Sequence, residues 1–205
     1  MAMDIGSFIL LAKAAGLGLL LAVPLGPIGL LCLRRSLSLG MAAGMAVGMG
    51  AATADAIYAG VAAFAMGAAA PLIADAAWLG FAGGIVLIAI GLRDILHRDA
   101  PMSPPTLRAH VGIYAGTVLL TLTNPATVLT FAAVIVGLGL VPDLASAIDG
   151  LVFVAGVFLG STAWWLVLSA VGGKLGERLP PGAVRWTRRV AGLAFIGFGL
   201  YAIAG

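Results

Sequence analysis

Apolar residues run along this chain in long stretches, without the alternation or the three-to-four spacing of a half-buried element. Six stretches stand out, at about 8–33, 38–67, 72–92, 110–141, 149–171 and 190–204, the last of full length only if it begins near Trp186. A helix needs roughly 20 apolar residues to cross the hydrocarbon core of a bilayer. Backbone amides in lipid must be bonded within a helix or a closed barrel. Barrel strands alternate polar and apolar residues, and these stretches do not. The pattern predicts an all-α polytopic membrane protein with six transmembrane helices, forming a single membrane domain over residues 1–205.

Composition agrees. Of the 205 residues 62% are hydrophobic and 9% charged, far below the roughly 25% charged residues of a soluble domain. Charge then orients the chain. Arg34 and Arg35 follow helix one, Arg93, Arg98 and Arg108 separate helices three and four, and Lys174, Arg178, Arg185, Arg188 and Arg189 separate helices five and six. Of the eleven basic residues only Lys13 lies elsewhere, and the opposite ends carry Asp4, Asp75, Asp143 and Asp149. The positive-inside rule makes the basic loops cytoplasmic and leaves both termini outside. The pI near 9.5 restates this bias. No folded basic domain is available for nucleic acid.

The amino terminus, MAMDIGSF, is acidic and its apolar run exceeds a signal peptide's core. Cys32 is the single cysteine, so no internal disulfide or CxxC pair is available, and a packing role is expected for it. His97 and His110 lie in or beside a loop without a second ligand pair, which argues against a metal site. Nothing in the sequence calls for a cofactor.

The proline-rich linker PMSPP, residues 101–105, divides the chain into 1–100 and 106–205 with three helices each. An odd number per half makes a repeat inverted in the membrane, a plan used by many secondary transporters. The expected fold is therefore a 3+3 inverted repeat with helices one and four broken. Helix one contains AVPLGPIG, with Pro24, Gly26, Pro27 and Gly29; helix four contains TLTNPAT, with Asn124 and Pro125. Proline removes an amide donor and glycine lets the backbone open. A simple kink is the alternative at each break. One break per half favours a shared central site.

One carboxylate, Asp55, sits midway along the otherwise uncharged stretch from Ser38 to Gly67. An aspartate at mid-bilayer costs about 2.5–3.5 kcal/mol on insertion scales. It either bonds a neighbouring helix in neutral form or faces a cavity, where it pairs with a cation or exchanges a proton. Tyr58, three residues on, shares its helical face. Gly40, Gly44 and Gly48 allow close helix approach. Trp164 and Trp165 lie unusually deep in helix five, as packing residues or as an aromatic wall for a cationic group.

The stretch PLGPIGLLCLRRSLSLGMAAGMAVGMGAATADAIYAG resembles the first half of the lysine exporter (LysE) family of bacterial amino-acid exporters, with its RhtB-type relatives. The likeness rests on Gly26–Pro27, the glycines from Gly40 to Gly48, Asp55, Asn124–Pro125, and Gly156 to Trp164. The chain departs from many members at Ile28, where they carry asparagine. The resemblance implies inner-membrane export of an amino acid or similar small amine, driven by an ion gradient.

Together these readings predict a secondary exporter and not an enzyme. Its substrate and ion site would comprise Asp55, Tyr58, Gly26, Pro27, Asn124, Pro125, Trp164 and Trp165. Asp55 would take the amine or a coupling proton, and the half-helix ends would take the substrate's polar groups. An inorganic-cation exporter or an ion channel on the same scaffold is the alternative. The glycine faces suit a homodimer as well as packing within the chain.

Overall fold

The computed structural model describes residues 5–23, 26–64, 77–96, 106–124, 127 and 146–204. Among them every regular element is an α-helix: α1 Ile5–Ala22, α2 Pro27–Leu39, α3 Met41–Phe64, α4 Ala77–Leu96, α5 Leu107–Leu122, α6 Ala147–Arg178 and α7 Pro181–Ala204. Three are long and apolar enough to cross a membrane: α1 with 18 residues, α3 with 24 and α6 with 32. Shorter apolar segments occupy Gly84–Arg93, Leu107–Leu122 and Arg189–Tyr201. Pro24, Pro125, the linker 101–105, His97, Asp75 and Asp143 lie outside the described residues, as do parts of the third and fourth apolar stretches.

Helix ends follow local chemistry. Thr106 caps α5 by accepting a hydrogen bond from the Ala109 amide at 3.3 Å. Ser146 caps α6, accepting from the Asp149 amide at 3.2 Å and donating to the Asp149 carboxylate at 2.8 Å. Such reciprocal bonds satisfy amides that a helix start leaves orphaned. Pro181 opens α7 at a position where its missing N–H costs nothing. The first apolar stretch is interrupted where prolines and glycines crowd: α1 stops at Ala22 and α2 starts at Pro27.

The loops are shorter than the charge pattern suggests. Arg34 and Arg35, expected in a loop after helix one, lie inside α2, which continues to Leu39. Gly40 alone separates α2 from α3, at φ 86°, a conformation that glycine reaches without a steric penalty. A one-residue reversal needs no loop. Arg34 is buried, its guanidinium 5.9 Å from the Phe195 ring centroid, and this cover lets a cation stay in the helix. Likewise α6, expected to end near 171, runs on to Arg178. Its Gly172, Gly173 and Gly176 pack on Ser36, Met41 and Leu37 instead of lipid. Only Leu179 and Pro180 separate α6 from α7.

Packing is mostly between helices distant in sequence. Helices α3 and α6 are antiparallel: Phe64 meets Gly150, Gly48 meets Trp165, and Met41 meets Gly173. Helices α4 and α7 are also antiparallel, with Gly84 on Gly199 and Gly91 on Gly192. Helix α1 runs alongside α6 in the same direction: Ile9 and Lys13 share a cavity with Asp149 and Phe153, and further on Ala15 meets Gly160. Helix α5 runs parallel to α3, bringing Tyr114 to Thr53 and Leu122 to Tyr58. Helix α2 wedges among α3, α6 and α7. Glycines at the crossings let backbones touch, the packing that drives association where lipid offers no hydrophobic gain. A Cβ at Gly91 would lie 2.5 Å from the Gly192 carbonyl oxygen. One core cluster joins Leu31, Cys32, Val47, Leu87, Trp165 and Phe195; a second joins Leu17, Ala59, Phe153 and Val157.

Candidate functional site

Asp55 lies just past the middle of α3 and is 5% exposed. Its neighbours Ala51, Ala52, Ala54 and Ala59 are all buried, and their small side chains let α6 come close. The antiparallel register then sets Ser161 opposite it. The Ser161 hydroxyl donates to Asp55 Oδ2 at 2.6 Å, and Trp165 Nε1, one turn on, donates to the Ser161 oxygen at 3.0 Å. Each group polarises the next, so the indole and the hydroxyl together serve one acceptor.

On the same face of α3, Tyr58 reaches the end of α5. Its hydroxyl donates to the Leu122 carbonyl at 2.9 Å, with the Thr121 carbonyl at 3.4 Å. A helix leaves its last carbonyls without intrahelical partners. Here the amide that would close a regular turn onto Thr121 belongs to residue 125, a proline, and the Asn124 amide donates to the Thr121 carbonyl at 3.2 Å in its place. Helix α5 ends at Leu122, Thr123 is its cap, and Asn124 is buried outside the helix. Tyr58 therefore ties the broken end of α5 to the helix that carries Asp55. Among the described residues the buried Thr121 hydroxyl oxygen has no hydrogen-bond partner, although buried polar atoms are nearly always paired.

The start of α2 joins the same region. Gly26 is its N-cap, Pro27 its first residue, and among the described residues no side chain caps its amides. Ile28 and Leu31, on its first turns, share a core cluster with Ala51, Ala52, Leu120 and Trp165. Trp164 is half-buried against that cluster, and among the described residues its Nε1 has no hydrogen-bond partner. Adjacent positions on a helix point about 100° apart, so the two indoles serve different surroundings. The structure thus links Asp55 to Trp165 through Ser161 and ties Tyr58 to the end of α5, two residues before the buried Asn124, while Gly26–Pro27 opens the helix that shares a core cluster with Trp165.

Ser161 is the site residue that sequence reasoning missed. Its signal was a hydroxyl at mid-depth in α6, in Gly160–Ser161–Thr162, but pairing it with Asp55 needs the α3–α6 register. The hydroxyl face continues along α6. Cys32 Sγ and Ser169 Oγ lie 3.4 Å apart, and Ser36 Oγ donates to the Cys32 carbonyl at 2.8 Å. Cys32 is fully buried, and Tyr114 donates to Thr53 at 3.0 Å. Among the described residues no three His, Cys, Asp or Glu side chains gather to hold a metal.

A family model for the LysE type translocator matches residues 19–205. The chain belongs to the LysE type translocator family. Neither a curated protein nor a solved structure matches it. Membership in this family makes the chain a transport protein and places it in a membrane, in agreement with α1, α3 and α6. In this translocator Asp55, Ser161 and Trp165 form a buried polar chain between two of the three membrane-capable helices.

Proposed function

We propose that this LysE-type translocator is a secondary-active exporter of amino acids or related small amines across the bacterial inner membrane, with the proton as coupling ion. The observation that carries the proposal is Asp55, buried mid-helix and held by Ser161 where α3, α6 and the broken end of α5 meet. An ionisable group at such depth marks an ion or substrate path by default. The carboxylate accepts an amine or a proton. The amides at the start of α2 suit a substrate carboxylate, and the Thr121 hydroxyl, without a partner among the described residues, suits a polar substrate group.

Six spans are assigned as α1 continued by α2, then α3, α4, α5, α6 and α7, with the basic loops cytoplasmic and both termini outside. The observed directions fit: α1 parallel to α6, α3 parallel to α5, α3 antiparallel to α6, and α4 antiparallel to α7. The pairing also supports an inverted repeat. Exchanging each span with the one three places on turns the first–fifth pair into the fourth–second pair, and maps the second–fifth and third–sixth pairs onto themselves. All of these pairs are present. The halves interleave, so alternating access would move the paired helices about α2.

Purified protein in vesicles loaded with a labelled amino-acid panel tests the reading. Proton-driven movement of at least one amino acid against its gradient is expected. Movement only down a gradient would indicate a channel, and movement of inorganic cations alone would indicate a cation exporter.

A further inference from the structure

A second charged site lies away from Asp55. Lys13, the one basic residue outside the basic ends, lines a cavity of about 260 Å³ between α1 and α6, together with Gly6, Ile9, Asp149 and Phe153. Lys13 is exposed and Asp149 half-buried. Among the described residues no ion pair joins them, although both face one space. Asp149 is held in place by its reciprocal bonds with Ser146. Lys13 is two turns into α1, an apolar helix in which a charge is costly unless it finds a partner or ligand. Two opposite charges that line one cavity without pairing, among the described residues, fit one ligand that carries both signs.

We propose that this cavity binds a small free zwitterion, its anionic group at Lys13 and its ammonium at Asp149, as an outer station for the exported solute. The inference rests on the exporter reading for its biological role and on the cavity alone for its chemistry. The volume is several times the roughly 30 Å³ of a liquid water molecule and just below the about 300–1,000 Å³ of sites for larger ligands. That suits an amino acid. The cavity wall is shared with the core. Phe153, in its wall, packs in one cluster with Ala59 and Ala62 of α3, against which Tyr58 lies. Along α6, Phe153 is eight residues from Ser161, about 12 Å. On the orientation proposed above, the cavity is the first charged stop outside Asp55.

The test is direct binding. In a Cys32→Ala background, Ile9→Cys places a thiol in the cavity wall, and its labelling by a maleimide is followed on purified protein in nanodiscs. A millimolar mixture of free L-amino acids should slow labelling, whereas the corresponding amines or carboxylates alone should not. Lys13→Gln and Asp149→Asn should each raise the half-protecting concentration about tenfold or more, the value of a lost charge-assisted bond. Lys13→Arg should restore protection. Asp55→Asn should keep it, which separates failure of this site from failure of the exporter reading. Protection unchanged in Lys13→Gln at normal thermal stability overturns the proposal. So does labelling that ignores amino acids and responds only to the phosphatidylethanolamine content of the nanodisc, the sign of a lipid headgroup.

Discussion

Ser161→Ala is the most informative change near the buried carboxylate. It deletes one oxygen and leaves two partners stranded, Asp55 Oδ2 at 2.6 Å and Trp165 Nε1 at 3.0 Å. In water-soluble proteins a hydrogen bond to a charged group is worth about 1.5–3 kcal/mol and a neutral one about 1 kcal/mol. Within a bilayer the unfolded helices find other partners, and measured pairs average about 0.6 kcal/mol with a ceiling near 1.7. The membrane figure governs, so the loss should be about 1–2 kcal/mol for the two bonds together. Equilibrium unfolding in mixed micelles measures it. Trp165→Phe should cost about half as much, and the double variant should fall short of the sum because the two bonds share Ser161. Export should drop more steeply than stability, since the group that positions Asp55 is gone. Additive losses, or a Ser161→Ala variant with wild-type stability and export, would refute the chain from Trp165 to Asp55.

Three further changes probe the surroundings. Tyr58→Phe removes the donor to the Leu122 carbonyl and should slow turnover several-fold in vesicle assays while expression stays normal. Asn124→Ala should raise the apparent KM about tenfold if the broken end of α5 meets substrate; purified variants measured for binding and thermal stability separate this from a simple kink. Gly160→Val should abolish folded protein, because its Cβ would collide with the Ala15 backbone, whereas Gly16→Ala meets nothing within 4 Å and should gain about 0.5–1 kcal/mol of helix stability, both read by detergent size-exclusion and melting.

Much of this architecture was legible in the chain. Long apolar stretches identified helices, and Pro24 to Gly29 marked the interruption between α1 and α2. Asp55 stood out because nothing else charged lies near it in sequence. What stayed hidden depends on register. Ser161 reads as an ordinary small residue until α3 and α6 are laid antiparallel. Arg34 reads as a loop residue until Phe195, some 160 positions away, covers it. Gly40 reads as one of a glycine series, yet it alone turns the chain between α2 and α3. The interleaving of the two halves was equally invisible, because hydropathy counts helices without saying which ones touch.

The central claim is that Asp55 carries the transported charge. Asp55→Asn keeps the shape of the side chain and a hydrogen-bonding oxygen for Ser161 while removing the ionisable group. Proton-gradient-driven movement of labelled amino acid is measured in vesicles containing equal amounts of wild-type and variant protein of matched thermal stability. The expected result is normal insertion with export reduced to the level of empty vesicles; wild-type rates in the variant would contradict the account.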